Sequence, residues 1–290
     1  MLPRPPEITY STTAEIGVAA LARAVSDVFQ SVPYEHEPFP PPTPEFFIDG
    51  FRVHDVDLAH SVVAREDEGQ MVGIAVLARR GERAYCADFG VVPEFRRRGI
   101  GRRLMEVFLE EARRSGARTV ELAADAANPA VRLYEGAGFR TVRKLISLRG
   151  NAGKLAQGPA AASVRPCDVG ALLDWYGGER SAKSLWEKEL PSLLAEVDAR
   201  ALLAERDGEE RAFLLYSWRP FLGMTELLHP GLTPEAVAED VRPLLVAAAA
   251  GAPGDGFLDQ GEPVDSPWHR LLLAAGLREP ETVLDMAREL

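Results

Sequence analysis

Between Val91 and Gly101 the chain reads Val-Val-Pro-Glu-Phe-Arg-Arg-Arg-Gly-Ile-Gly, and an amphipathic segment opening Arg102-Arg103-Leu104-Met105 follows at once. These residue types suit an anion. Glycine lets the backbone come close to a ligand, because no Cβ stands between them. Amides left outside the hydrogen-bond ladder at a helix N-terminus carry about half a positive charge and gather anions. Guanidinium forks add charge-assisted hydrogen bonds. The spacing therefore predicts a loop that holds a phosphate or pyrophosphate. It is not a Walker loop, since Arg102-Arg103 stands where Lys-Ser/Thr is needed, and Gly99 and Gly101 alone do not make the three-glycine dinucleotide fingerprint.

A second constellation lies downstream, Asn128-Pro129-Ala130-Val131-Arg132-Leu133-Tyr134-Glu135-Gly136-Ala137-Gly138-Phe139. Asn128 is a good N-cap, Pro129 suits the first helical position and Gly138 is a helix stop. Tyr134 brings a phenolic proton onto that short helix. The pattern Arg96-x-x-Gly99-x-Gly101 after a strand ending Val-x-Pro, followed by Asn…Leu-Tyr…Gly-Phe, resembles the two signatures of the GNAT superfamily of N-acetyltransferases. One departure is that Asn128 lies slightly closer to Tyr134 than is commonest in the family.

The resemblance implies an acetyl-CoA-dependent transfer of an acetyl group to an amine, by direct attack on the thioester and without a metal. It implies that Arg96, Arg97, Arg98, Gly99, Ile100, Gly101 and Arg102 hold the pyrophosphate, with Asn128 nearby. Backbone at Val91 and Val92 would hold the pantetheine arm and polarise the acetyl carbonyl. Tyr134 would protonate the departing thiolate. A base is harder to find: strand alternation puts Tyr85, Ala87 and Phe89 on the face of Val91, and Asp88 on the other face unless a bulge re-aims it. Asp88 is the candidate all the same. Glu35, His36 and Glu37 sit in the proline-rich segment that, by resemblance, borders the acceptor site for a small-molecule or peptide amine. Two other readings stay open, a transferase using a different acyl-CoA and an acyl-CoA-binding regulator without turnover. The intact Tyr134 favours an enzyme, and the lack of an obvious base favours the regulator.

The elements that must carry these residues form an α+β pattern, a mixed and mainly antiparallel sheet flanked by helices. Strand-like stretches are Glu7 to Ser11, Ser61 to Arg65, Met71 to Ala78, Tyr85 to Val92, Thr119 to Ala123 and Arg140 to Leu148. Helical spacing marks Ala14 to Phe29, a segment opened by Thr43-Pro44-Glu45, and Gly101 to Gly116. Residues 150–162 read as a linker of small residues, after which the pattern restarts with Ser163-Val164-Arg165-Pro166. Ser266 to Leu277 aligns without gaps on Asn128 to Phe139. The expectation is a tandem of two such domains, residues 1–150 and 163–290 joined by 151–162, with a degenerate second copy. That copy has Leu272 where Tyr134 stands. Its turn His229 to Glu235 lacks arginine and Gly-x-Gly, and a helix is expected from Thr233-Pro234-Glu235 to about Ala250.

A chain of 290 residues with 46% hydrophobic and 27% charged side chains suits two domains of ordinary size. Residues 1–150 carry 20 Lys and Arg against 21 Asp and Glu, and residues 151–290 carry 13 against 23. The basic cluster at 96–103 thus stands on an otherwise acidic background, which suits a small anionic co-substrate and excludes a nucleic-acid face. No apolar run is long enough to span a bilayer and the N-terminus lacks a signal core, so the expected setting is cytoplasmic, as a monomer or homodimer. Cys86 and Cys167 have neither pairing nor metal spacing.

Overall fold

The computed structural model describes residues 7–29, 43–177, 184–220, 222–250 and 254–290. It divides into two compact units, Met1–Val142 with Asp285–Leu290, and Arg143–Leu284.

The first unit runs β1 (Thr9–Thr12), α1 (Gly17–Phe29), α2 (Pro44–Val53), β2 (Val62–Arg65), β3 (Met71–Arg80), β4 (Arg83–Val91), α3 (Ile100–Arg114), β5 (Thr119–Asp125), α4 (Val131–Gly136) and the first residues of β6 (Arg140–Asn151). The second continues with α5 (Ala152–Leu155), β7 (Ser163–Cys167), α6 (Leu172–Trp175), α7 (Leu190–Ala195), β8 (Arg200–Arg206), β9 (Glu209–Arg219), β10 (Met224–Leu232), α8 (Ala238–Ala249), β11 (Gly256–Pro263), α9 (Pro267–Ala275) and β12 (Arg278–Glu289). The last residues of β12 return to the first unit.

In the first unit the strand order is β1-β2-β3-β4-β5-β12. β1, β2, β3 and β4 pair antiparallel, and β4 pairs β5 in parallel. Helices cover both faces. Gly90 faces α1, where a methyl group would collide with Val28, whereas its neighbour Val91 faces Gly101 of α3. The apolar stripe of α3, with Leu104, Met105, Phe108 and Ala112 all buried, follows from the 3.6-residue period and seats the helix on the sheet. α2 has Thr43 at its N-cap position, as expected, in extended conformation and without a side-chain cap hydrogen bond, and Pro44 in the first turn.

The second unit repeats the plan in the order β7-β8-β9-β10-β11-β6, again with one parallel pair, β10 with β11. Three boundaries differ from the sequence reading. Residues 151–162 are not a free linker: Asn151 caps α5 by accepting the Lys154 N–H, and Ala152 and Leu155 are buried in the second core. The change of unit accordingly falls at Val142. The helix expected from Thr233 begins at Ala238 instead. Val237 is its N-cap in extended conformation, and the Asp240 carboxylate accepts the Val237 N–H at 3.0 Å. His229 to Leu232, read as a turn, complete strand β10.

Candidate active site

β4 and β5 are the elements that create the site. Their parallel ladder joins Arg83, Ala84 and Tyr85 to Thr119, Val120 and Glu121 and goes no further, although the strands run on to Val91 and Asp125. Arg83 pins the closed end with a bidentate grip on Glu121, both contacts at 2.8 Å. Beyond it the strands diverge.

A bulge lies at the point of divergence. Val76 pairs with Asp88 and Leu77 with Cys86, so Ala87 is the extra residue in β4. Simple alternation had set Tyr85, Ala87, Phe89 and Val91 on one face. The bulge breaks that set, and Tyr85 packs against His54 with ring centroids 6.4 Å apart. Phe89 and Val91 stay together, both near Gly101. Cys86 now shares their side, within electrostatic reach of Tyr134. Asp88 lies opposite Phe89 and alongside Gly90, on the side of α1, and is half-buried. The bulge therefore re-aims the residues before it, and leaves Asp88 where alternation had put it.

Tyr134 is buried on α4. The Phe89 ring packs edge-on against it at 5.9 Å and the Phe139 ring at 6.2 Å. Its hydroxyl is held well above the usual phenol range, first by burial and then by the neighbouring Cys86. Burial and Asp88 likewise hold the Cys86 thiol protonated. Such a tyrosine is a proton donor throughout the physiological range. Cys86, which lies between Tyr134 and Asp88 electrostatically, escaped the sequence reading because only the bulge turns it that way.

The helix that caps the site starts with Gly99 in the left-handed region at φ 82° and with no side-chain cap. Its first ladder bond is from Arg103 N–H to the Gly99 carbonyl at 3.2 Å, so the Ile100, Gly101 and Arg102 amides precede the ladder. A methyl at Gly101 would lie 3.3 Å from Leu133, 3.8 Å from Val91 and 4.0 Å from Phe89, so this glycine lets the helix start approach β4 and α4 closely. Ile100 is buried and anchors the turn. The cradle fits a diphosphate by the chemistry of its donors: free amides, two glycines and guanidinium groups.

The arginines divide by role. Arg96 donates to the Val91 carbonyl at 2.8 Å, and Arg98 donates to the Glu94 carbonyl at 2.7 Å while lying over the Phe95 ring. These two shape the loop. Arg97, at φ 63°, and Arg102 are exposed, and no described residue engages their guanidinium groups. They are the arms available to an incoming anion. Val92 differs from expectation: its N–H is already donated to the Val72 carbonyl at 3.0 Å and is not available to a ligand. Asn128 is also placed differently. The cap of α4 is Ala130, and Asn128 makes an exposed turn ahead of it, with its side-chain oxygen accepting the Ala130 N–H and its carbonyl the Val131 N–H. Glu35, His36 and Glu37 lie outside the described residues.

The second unit keeps the geometry and changes the chemistry. β10 carries the same bulge, with His229 opposite Leu215 and Leu227 opposite Tyr216, so His229 stands where Asp88 does. The Leu277 N–H closes onto the Leu272 carbonyl at 3.0 Å, as the Phe139 N–H does onto Tyr134 at 3.0 Å. Leu272 therefore occupies the tyrosine position. At the start of α8 the anion is internal: buried Asp240 accepts from Arg206 Nε at 2.9 Å and Nη2 at 3.2 Å. Past the last β10–β11 pair, Leu185 packs on Gly261 and Lys188 pairs with buried Asp259, which also accepts from Trp268 Nε1 at 2.8 Å.

Comparison with known proteins agrees with this geometry. The mycothiol acetyltransferase of Clavibacter michiganensis subsp. michiganensis is 27% identical over 206 residues, covering 64% of this chain and 65% of that protein. That of Clavibacter sepedonicus is 26% identical over 203 residues, covering 64% and 66%. The chain thus matches just under two thirds of the length of these relatives. Among solved structures, a tandem GNAT protein from the clavulanic acid biosynthesis pathway has a TM-score of 0.66 at 15% identity, with 98% of both chains covered. A GCN5-related N-acetyltransferase from Sphaerobacter thermophilus has a TM-score of 0.64 at 17% identity, covering 97% of this chain and 95% of that one. Residues 22–139, which span the glycine–arginine turn and the Tyr134 helix, match the acetyltransferase (GNAT) family.

Proposed function

We propose that the chain is an acetyl-CoA-dependent N-acetyltransferase whose first unit carries the chemistry and whose second unit does not take the co-substrate. One observation carries the reading. Where β4 and β5 diverge, a helix start with free amides and two uncommitted arginines meets a buried, protonated tyrosine.

Acetyl-CoA, when bound, supplies an activated acyl carbon and a thiolate leaving group. The Gly99–Arg102 turn, with Arg97 and Arg102, holds the diphosphate by charge-assisted hydrogen bonds. Backbone of β4 at Val91 lines the pantetheine path. Tyr134 gives its proton to the thiolate; because burial suppresses its ionisation, the donor form persists at neutral pH. Asp88, on the α1 side, accepts the proton of an incoming ammonium group, directly or through water. Most of the acceleration comes from holding amine and thioester together, an effect of about 7–11 kcal/mol in favourable cases. The names of the Clavibacter relatives make mycothiol-related amines the first acceptors to try.

A binder without turnover is the second reading, and one feature favours it: Asp88 lies across the strand from Phe89 and Tyr134. Free-thiol release from acetyl-CoA, measured with a panel of amines that includes mycothiol-related acceptors, separates the two. Release above the no-amine background supports the enzyme. Tight acetyl-CoA binding with background release for every amine supports the binder. Tyr134→Phe is expected to lower kcat by about tenfold to a hundredfold with little change in KM for acetyl-CoA.

A further inference from the structure

We infer that Arg288 is a positioning residue for Tyr134, holding the end of α4 from a strand that lies far away in sequence. The inference rests on Tyr134 as the proton donor proposed above. α4 has six residues from Val131 to Gly136, too few to hold a helix in place by its own hydrogen bonds. Its end closes through Gly138 at φ 90°, with the Gly138 N–H on the Glu135 carbonyl and the Phe139 N–H on the Tyr134 carbonyl. The carbonyl of Ala137, at the cap, accepts Nη1 of Arg288.

The guanidinium is fitted to this spot. Its Cζ lies 3.5 Å from where a methyl on Gly138 would be, so it packs in van der Waals contact over the turn. Burial and the neighbouring Arg113 both disfavour its charge, so the carbonyl bond is made against an electrostatic cost. The strand beneath is fixed independently: Met286 is fully buried, and the Leu290 N–H donates to the Arg118 carbonyl at 2.9 Å. Residues 285–290 count with the first unit although they follow the whole of the second. Tyr134 stands three residues before Ala137, one turn away, so a loosened cap shifts the phenol relative to β4.

The test is a four-way kinetic comparison of wild type, Arg288→Ala, Tyr134→Phe and the double variant in the full chain, with Arg288→Lys as the conservative change and thermal melts for all. Arg288→Ala is expected to lower kcat by about tenfold with KM for acetyl-CoA within about twofold. In the Tyr134→Phe background the same change should cost less than about twofold, because the group it serves is already gone. Arg288→Lys, which can still donate to Ala137, should recover most of the loss. Independent, multiplying effects in the double variant would overturn the proposal, as would equal losses in kcat and in acetyl-CoA affinity. If Arg288→Ala fails to fold, the lysine variant decides: full loss of kcat in a folded protein contradicts positioning by hydrogen bond. Tyr134→Phe with wild-type kcat rejects the acid role itself and this proposal with it. Normal kcat in Arg288→Ala beside an impaired Tyr134→Phe rejects this proposal alone.

Discussion

Two protons placed by burial, on Tyr134 and Cys86, are the residue-scale signature of this site, and they have a consequence for stability. In the unfolded chain a cysteine ionises near pH 8.5 and a tyrosine near pH 10, to about a unit. Both are raised in the folded protein. At alkaline pH the folded state therefore binds more protons than the unfolded one, and stability falls as pH rises. The expected outcome is a melting temperature that declines above about pH 8.5, with a shallower decline in Cys86→Ala and in Tyr134→Phe. An identical slope in all three proteins would refute it. Tyr134, Gly99 and Gly101 were legible in the sequence because each belongs to a short motif whose physics is local. Cys86 was not, because its direction depends on an extra residue in β4 that only the pairing with β3 reveals. Nor could sequence divide the arginines, since what removes Arg96 and Arg98 is a pair of backbone carbonyls, at Val91 and Glu94.

At the scale of elements, the closeness of α3, α4 and β4 is set by a missing side chain. Gly101→Ala places a methyl 3.3 Å from the side chain of Leu133, the residue before Tyr134, so that side chain must give by a few tenths of an ångström. We expect KM for acetyl-CoA to rise by about fivefold or more while the melting temperature changes little, because the turn itself can still form. Gly50, inside α2 with nothing within 4 Å of an added methyl, is the contrast: Gly50→Ala should stabilise by about 0.5–1 kcal/mol in chemical denaturation and leave kinetics alone. A stabilising effect at both positions would show that Gly101 is not a contact-limited site. Hydrophobic period read α1, α3 and the strands well, since those signals are summed over many residues. Residues 150–162 misled because small residues are common to linkers and to packed turns. Only the Asn151 cap and the burial of Leu155 distinguish the second case. The start of α8 misled likewise, as the Asp240 cap prevailed over the Thr-Pro-Glu pattern at 233–235.

Over the whole molecule, one fold is used twice with opposite electrostatic outcomes. The first unit leaves the amides of its helix start ahead of the ladder; in the second, Asp240 with Arg206 supplies an internal anion, and Leu185 and Lys188 lie where β10 and β11 cease to pair. Calorimetry is expected to find one acetyl-CoA per chain. Asp240→Ala should destabilise by about 2–4 kcal/mol, because it strands a largely covered arginine, without creating a second site. A stoichiometry of two would overturn this division of labour. The tandem plan was legible from the gapless match of Ser266–Leu277 to Asn128–Phe139, but the return of residues 285–290 to the first unit was not, because nothing local marks it. That return orders events during synthesis. A ribosome releases the glycine–arginine turn and the tyrosine helix early, yet the sheet beneath them lacks the strand beside β5 until translation has passed Asp285. A nascent chain stalled anywhere in the second half would display both sequence motifs of the site and still be unfinished.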